Sequence, residues 1–418
     1  PSMLQLFKGS KTSPLVRTAL SQQPSLEQAV AELTQQLAGI GQMDLALVFA
    51  SSSYASDLPR LLPLLQKQLR CSHWLGACGG GVIGTNAAAA PQEIENGPAI
   101  SLTLMRLPGA QLSPFQINLN QLPDLDGPRE PWMEAVGADP EAGGAMLIWI
   151  DPASSGINDL ISGLDYGYPA MAKLGGLAGQ HSANHGGLFF ADQVCSGAVG
   201  CVISGAYSLD PVVAQGCRPI GPVFEVAQAQ RNVLLELRQG DALQNPLAAL
   251  QGLIGELPSS DRELLRNALF VGLGKENFAM PNPSAPQVSP FLVRNLMGMD
   301  PRLGAIAVAD RLRIGQQLQF QVRDGNSSRQ ELKDLLLLQQ QRAEQPLAAL
   351  LFACLGRGQG LYGEANVDVG LCRELFPDIP VAGLFCNGEI GPVAGSTQMH
   401  GYTASWAFLV PSPKPTET

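Results

Sequence analysis

Short apolar runs, broken by glycine and proline, set the rhythm of this chain. Residues 45–50 (LALVFA), 145–150 (AMLIWI) and 349–354 (ALLFAC) are apolar almost throughout, as strands covered on both faces must be. Residues 99–105 (AISLTLM), the stretch around Val202 (GCVISGAYSL) and residues 402–409 read as further strands. Between them the period lengthens to that of a helix. In SLEQAVAELTQQL, Leu26, Val30, Leu33 and Leu37 share one face, and Ser25 with Gln28 supplies an N-terminal cap. LPRLLPLLQKQL, despite Pro63, and residues 157–164 and 367–376 are predicted helices of the same kind.

The order strand, helix, glycine cluster, strand occurs three times. The clusters are GACGGGVIG, KLGGLAG and VAGLFCNGEIG. Val48 to Gly76 and Leu147 to Gly175 are both steps of 28 residues. The pattern G-x(4)-G-x-I-G fits Gly76, Gly81, Ile83 and Gly84, and again Gly383, Gly388, Ile390 and Gly391. Related α/β units with a common sheet architecture follow from this recurrence. The region between the second and third rounds differs. Strands are expected at 233–237, FLVRNLMGM, GAIAVA and QLQFQVRD, with a helix in PLAALQGLIG. A capping box of Ser260 and Glu263 opens DRELLRNAL. Residues 281–290 hold four prolines and read as a loop.

Composition narrows the function. The 418 residues are 45% apolar and 15% charged, with 46 glycines and 32 prolines, a globular chain of about two or three domains by length. The net charge of −10, without any basic run, argues against nucleic acid or an anionic membrane as partner. Uninterrupted apolar stretches fall short of the ~20 residues of a membrane span. The N-terminus, interrupted by Lys8, Lys11 and Arg17, lacks the form of a signal peptide. The expected location is therefore the reducing cytoplasm, where the eight cysteines are buried free thiols. With no C-x-x-C or H-E-x-x-H and four histidines, no metal or other cofactor is expected.

Polar residues at the ends of apolar strands are the candidate ligand contacts. They are Arg323 and Asp324 in QVRDG, Arg357 in LGRGQG, and Asn387 with Glu389 in FCNGEIG. Ligands of α/β sheets gather at strand C-termini. Two arginines suit a carboxylate, and Glu389 with Asp324 suits an ammonium; the alternative is a set of structural ion pairs. Gly79, Gly80 and Gly81 offer backbone N–H groups to an anion, or simply make a tight turn. GRGQGLYG carries G-x-G-x-x-G at Gly358, Gly360 and Gly363, but the ribose-binding acid of a dinucleotide site is misplaced. GSKT near Lys11 lacks the rest of a phosphate loop. Cys78 and Cys386 lie at glycine turns, but no nucleophile, base and oxyanion hole assemble, and no catalytic residue is assigned.

HWLGACGGGVIG, YGYPAMAKLGGLAG, GCRPIGPVFEVAQAQRNVLLEL, FLVRNLMGMD, GQQLQFQVRDG, LLFACLGRGQGLYG and FPDIPVAGLFCNGEIGPV follow one another in an order that resembles the FIST family. The resemblance implies a pair of domains, FIST-N over 1–220 and FIST-C over 221–410, with a disordered tail at 411–418. It also implies an intracellular sensory protein that binds a small ligand, an amino acid or small carboxylate, and passes its signal to a separate partner. The expected fold is α/β: two packed domains of strand–helix–strand units with mixed sheets, layered α/β/β/α. Two other functions remain open from the residues alone, an enzyme using a cysteine near a glycine-rich turn and a scaffold without ligand.

Overall fold

The computed structural model describes residues 13–179, 185–274 and 291–413. The GSKT segment, His181, the 281–290 loop and residues 414–418 of the tail lie outside the described residues.

Three units of one topology make up most of the chain. The first contains β1 (Leu15–Ser21), α1 (Leu26–Gln36), β2 (Gln42–Ser51), α2 (Leu58–Gln66), β3 (Arg70–Gly79), β4 (Gly81–Thr85), β5 (Pro91–Ile94) and β6 (Ile100–Arg106). The second contains β7 (Ala110–Ile117), α3 (Glu130–Val136), β8 (Ala145–Ile150), α4 (Ile157–Gly167), β9 (Ala172–Leu177), β10 (Leu188–Phe190), β11 (Gln193–Cys195) and β12 (Ala198–Gly205). The third opens with β13 (Tyr207–Ala214) and is then interrupted. The inserted segment holds β14 (Arg218–Pro219), β15 (Phe224–Gln230), β16 (Val233–Gln239), β17 (Ala242–Gln244), α5 (Pro246–Glu256) and α6 (Ser259–Leu265). It continues through β18 (Leu269–Gly274), β19 (Phe291–Asp300), β20 (Ala305–Val308) and β21 (Gln317–Val322). The third unit resumes with α7 (Gly325–Gln340), β22 (Ala348–Cys354), α8 (Gln359–Tyr362), α9 (Val367–Leu375) and β23 (Val381–Cys386). It ends with β24 (Glu389–Val393), β25 (Ser396–His400) and β26 (Ala404–Pro411).

Each unit builds four strands of its own sheet and gives a hairpin away. In the first, β1 pairs antiparallel with β6, β6 with β2, and β2 runs parallel to β3. The other two units repeat that order through β7-β12-β8-β9 and β13-β26-β22-β23. Hairpin β4–β5 then joins β23, β10–β11 joins β3, and β24–β25 joins β9. The three six-stranded sheets are thereby knitted in a ring. Their inner faces meet in one core, where Phe49, Trp149 and Phe352, one from each unit, pack edge to face with centroids 5.5, 5.7 and 6.1 Å apart. Helices α1 and α2, α3 and α4, and α7 and α9 cover the outer faces with separate apolar clusters. Any two sheets with their helices give the α/β/β/α layering, repeated around the ring. The insertion closes β15-β16-β20-β19-β18-β21 into a barrel with its own core.

The shared glycines serve close approach. A Cβ at Gly76, Gly175 or Gly383 would lie 1.8, 1.7 or 1.8 Å from the carbonyl oxygen of Val48, Ile148 or Leu351 on the parallel neighbour. The counterpart of Val48 is thus Ile148, one residue beyond the Leu147 of the sequence comparison. Two local expectations change. Helix α6 begins at Ser259 behind Pro258 with no side-chain cap, so Ser260 and Glu263 form no capping box; the proline already fixes the entry conformation. The R-D-G turn is the start of a 16-residue helix, α7, which Asp324 caps by accepting from Ser327 N. Among the described residues, no helix is long and apolar enough to cross a membrane.

Candidate functional site

The C-terminal ends of β22 and β23 open into a cleft of about 860 Å³. Its floor is Cys354, Leu355, Gly356, Cys386, Asn387 and Gly388. One wall is the β24–β25 hairpin and the turn to Tyr402, the second is barrel strand β19 with Asp310, and the third is Asn158, Ile161 and Ser162 of α4. Arg294 ties barrel to hairpin across it, pairing with Asp310 (3.1 Å) and donating to Met399 O (2.8 Å) and Gln398 Oε1 (3.2 Å).

Glu389 is buried beside this floor. It is the first residue of β24 and pairs with Gly176. The equivalent positions of the other two hairpins, opposite Ala77 and Leu384, hold Leu188 and Val82, both members of the central apolar core. The third unit therefore places a carboxyl group where its sisters place hydrocarbon. Gly388 N (3.1 Å) and Thr403 N (2.9 Å) donate to its two oxygens. Tyr402, just before Thr403, takes φ 59°, a conformation costly for a bulky residue. Burial pushes the Glu389 carboxyl up to about 8, against the pull of those amides and of Arg357 and Arg323. Burial thus favours its neutral form.

The other predicted contacts divide. Asn387 lines the cleft. Arg323 is 8% exposed, donates to Gly356 O (2.7 Å) and lies 4.4 Å above the ring of Tyr402. Burial and the charge of Arg357 lower its hold on its proton. Arg357 is fully buried away from the cleft, locked to Asp368 by Nε (2.9 Å) and Nη2 (3.0 Å) and to the Tyr362 hydroxyl (2.7 Å). Asp368 strengthens its protonation despite the burial. Asp324 faces Arg218 (2.9 Å) and Ser327; burial would raise its carboxyl, but these partners hold it below the ordinary range. The notion of structural ion pairs thus describes Arg357 and Asp324, whereas Asn387 lines the cleft and Arg323 and Glu389 lie buried behind it, bonded to its lining residues Gly356 and Gly388.

Gly79, Gly80 and Gly81 fill close-packed positions. An added Cβ would come within 2.4 Å of Leu384, 2.5 Å of Leu355 and 2.7 Å of Ile94 O respectively. The G-x-G-x-x-G loop holds an anion already, since Gln359 N donates to the carboxylate of Glu95 (3.0 Å). Cys78 is buried and raised to about 12 by that burial. The Cys386 thiol donates to Leu384 O (3.6 Å), and the His400 ring meets Gly391 O (3.0 Å). Among the described residues, no group of three or more His, Cys, Asp or Glu is placed to hold a metal ion. Reading the sequence missed Arg294, Asp310, Cys354 and Tyr402. The one signal for Tyr402 is its place just after a glycine and before a strand.

Fold and cleft define an α/β protein of interlocked units with a ligand-sized polar cleft at strand C-termini. The chain belongs to the FIST family: it matches the FIST N domain over residues 44–239 and the FIST C domain over 246–392. FIST domains are associated with signal transduction and the sensing of small ligands. The chain is 32% identical over 413 residues to "Uncharacterized protein Rv0628c" of Mycobacterium tuberculosis, covering 97% of this chain and 100% of the relative. It is 34% identical over 269 residues to "Uncharacterized protein Mb0898c" of Mycobacterium bovis, 63% of this chain and 67% of that one. A short stretch of 42 residues, 10% of each chain, is 48% identical to human "F-box only protein 22".

Proposed function

We propose that this FIST protein is an intracellular sensor that binds an amino-acid-like ligand in the cleft above Cys354 and Asn387 and signals through a separate protein. The observation that carries this reading is Glu389. Burying a carboxyl group costs free energy, and Val82 and Leu188 at the equivalent positions indicate that the fold has no need of one there. A ligand ammonium brought beside Glu389 would ionise it and form a charge-assisted pair. Arg323, whose Nε has no hydrogen-bond partner and whose guanidinium lies over the cleft-lining ring of Tyr402, is the candidate for the ligand carboxylate. The division of labour follows the two halves of the family, residues 1–220 and 221–410, with the cleft drawing α4 from the first half.

A thermal-shift panel of amino acids, small carboxylates and nucleotides tests the reading. A ligand at ~100 times its Kd adds about 2.7 kcal/mol to the stability of the folded state. An amino acid should raise the melting temperature of the wild type, and Glu389→Leu, patterned on Leu188, should fold and lose that response. An unchanged response in Glu389→Leu, or no response to any amino acid in the wild type, sinks the proposal.

A further inference from the structure

The floor of the cleft carries two thiols in register. Cys354 ends β22 and Cys386 ends β23, and the parallel pairing sets one opposite the other. Both line the cleft. Registered residues of neighbouring strands point to the same face, and their strands lie about 4.8 Å apart. That spacing falls within the Cα separation of roughly 4.4–6.8 Å that a disulfide bridges. Packing does not call for sulfur here. The equivalent pair in the first unit is Ser51 opposite Gly79, and in the second the next residues beyond Ile150 and Leu177 are Asp151 and Ala178. A small side chain suffices at each place, and the dithiol belongs to the one unit whose strand ends form this cleft.

We propose that Cys354 and Cys386 are a vicinal dithiol that exchanges with low-molecular-weight disulfides of the glutathione kind entering the cleft. The two sulfurs have different roles. Cys354 is half-buried, and its Sγ accepts a hydrogen bond from Gly356 N (3.3 Å), an arrangement that favours the thiolate. Cys386 is fully buried and its thiol is a donor, to Leu384 O. Cys354 is the attacking thiol and Cys386 the resolving one. The Cys354 thiolate attacks one sulfur of the incoming disulfide, forming a mixed disulfide and expelling the first small thiolate, which takes up the Cys354 proton. Cys386, giving its proton to the second leaving thiolate, then attacks the Cys354 sulfur. The protein dithiol is oxidised by two electrons, and one small disulfide is reduced to two thiols. Burial, with Glu389 nearby, raises both thiols above their ordinary range, so exchange near neutrality is slow.

The test uses the full chain, without any amino-acid ligand, incubated with oxidised glutathione, alkylated and mapped by mass spectrometry without reduction. A peptide pair linked through Cys354 and Cys386 is expected in the wild type. In Cys386→Ala, which Ala178 shows to be a tolerable size, the glutathione adduct should persist on Cys354. In Cys354→Ser, patterned on Ser51, Cys386 should stay unmodified. Full alkylation of both thiols in the oxidised wild type overturns the proposal, as does linkage to other cysteines or an adduct on Cys386 in Cys354→Ser. Because the readout is the thiols themselves, its failure leaves the sensor reading standing, and failure of the thermal-shift panel leaves this one.

Discussion

Among the described residues, burial pushes the carboxyl groups of Glu93 and Glu389 up to about 8. Asp368 and Glu95 add to the effect at Glu93, which β5 of the first unit carries against the Arg357–Asp368 pair of the third. A carboxyl raised above its ordinary 4.5 binds its proton more tightly in the folded than in the unfolded chain. Its contribution is therefore fully present below about 4.5 and is lost as pH climbs towards 8. Glu93→Gln should remove its share of that loss. Urea midpoints measured near pH 5 and above pH 8 should then differ less in Glu93→Gln than in the wild type. An equal or wider gap would contradict the assignment. At this scale the sequence was partly legible. Glu389 stood out as an acid at a strand end, but only the pairing with Gly176 reveals that it faces the core. Arg357 reads as a ligand contact because its partner, Asp368, sits in the first turn of α9, away from any strand end.

Among the elements, strands β8 and β22 and residues 45–50 of β2 were the easiest to read, because both faces are covered and every position there is apolar. Helix α7 escaped notice, since its polar opening GNSSRQ looks like loop and only Leu332 and Leu336 are deeply buried hydrocarbons. Glycines differ by element in the same way. Gly383 in β23 meets Leu351 O at 1.8 Å once a Cβ is added, whereas Gly370 inside α9 meets nothing within 4 Å. Gly370→Ala should stabilise the protein by roughly 0.5–1 kcal/mol through helix propensity. Gly383→Ala should force β22 and β23 apart and lower the melting temperature by many degrees, or prevent folding. Comparable melting temperatures for the two variants would show that the parallel pair is not as close as described.

For the whole molecule, the recurrence of three units was visible in the sequence but the exchange of hairpins was not. Strand β10 is three residues long and joins a sheet over a hundred residues upstream, and no local pattern names a destination. The exchange ties the halves together, because β4, β5 and β13 complete the sheet of β22 and β23, and β24 and β25 complete that of β8 and β9. A chain divided at the exposed Gly221 should give two fragments that fail to fold apart and recover one cooperative transition when co-expressed. Independent cooperative melting of the 1–220 fragment would contradict this interlock. The sensor reading rests on where a ligand sits, and hydrogen–deuterium exchange with and without the amino acid that shifts the melting temperature measures that directly. Protection confined to residues 354–356, 386–389 and 397–403 is the result expected of a ligand held over Glu389. Protection instead at the Gly358–Gly363 loop, or in the separate polar cleft around Asn118, Asp151 and Ser154, would place the ligand elsewhere and contradict the account.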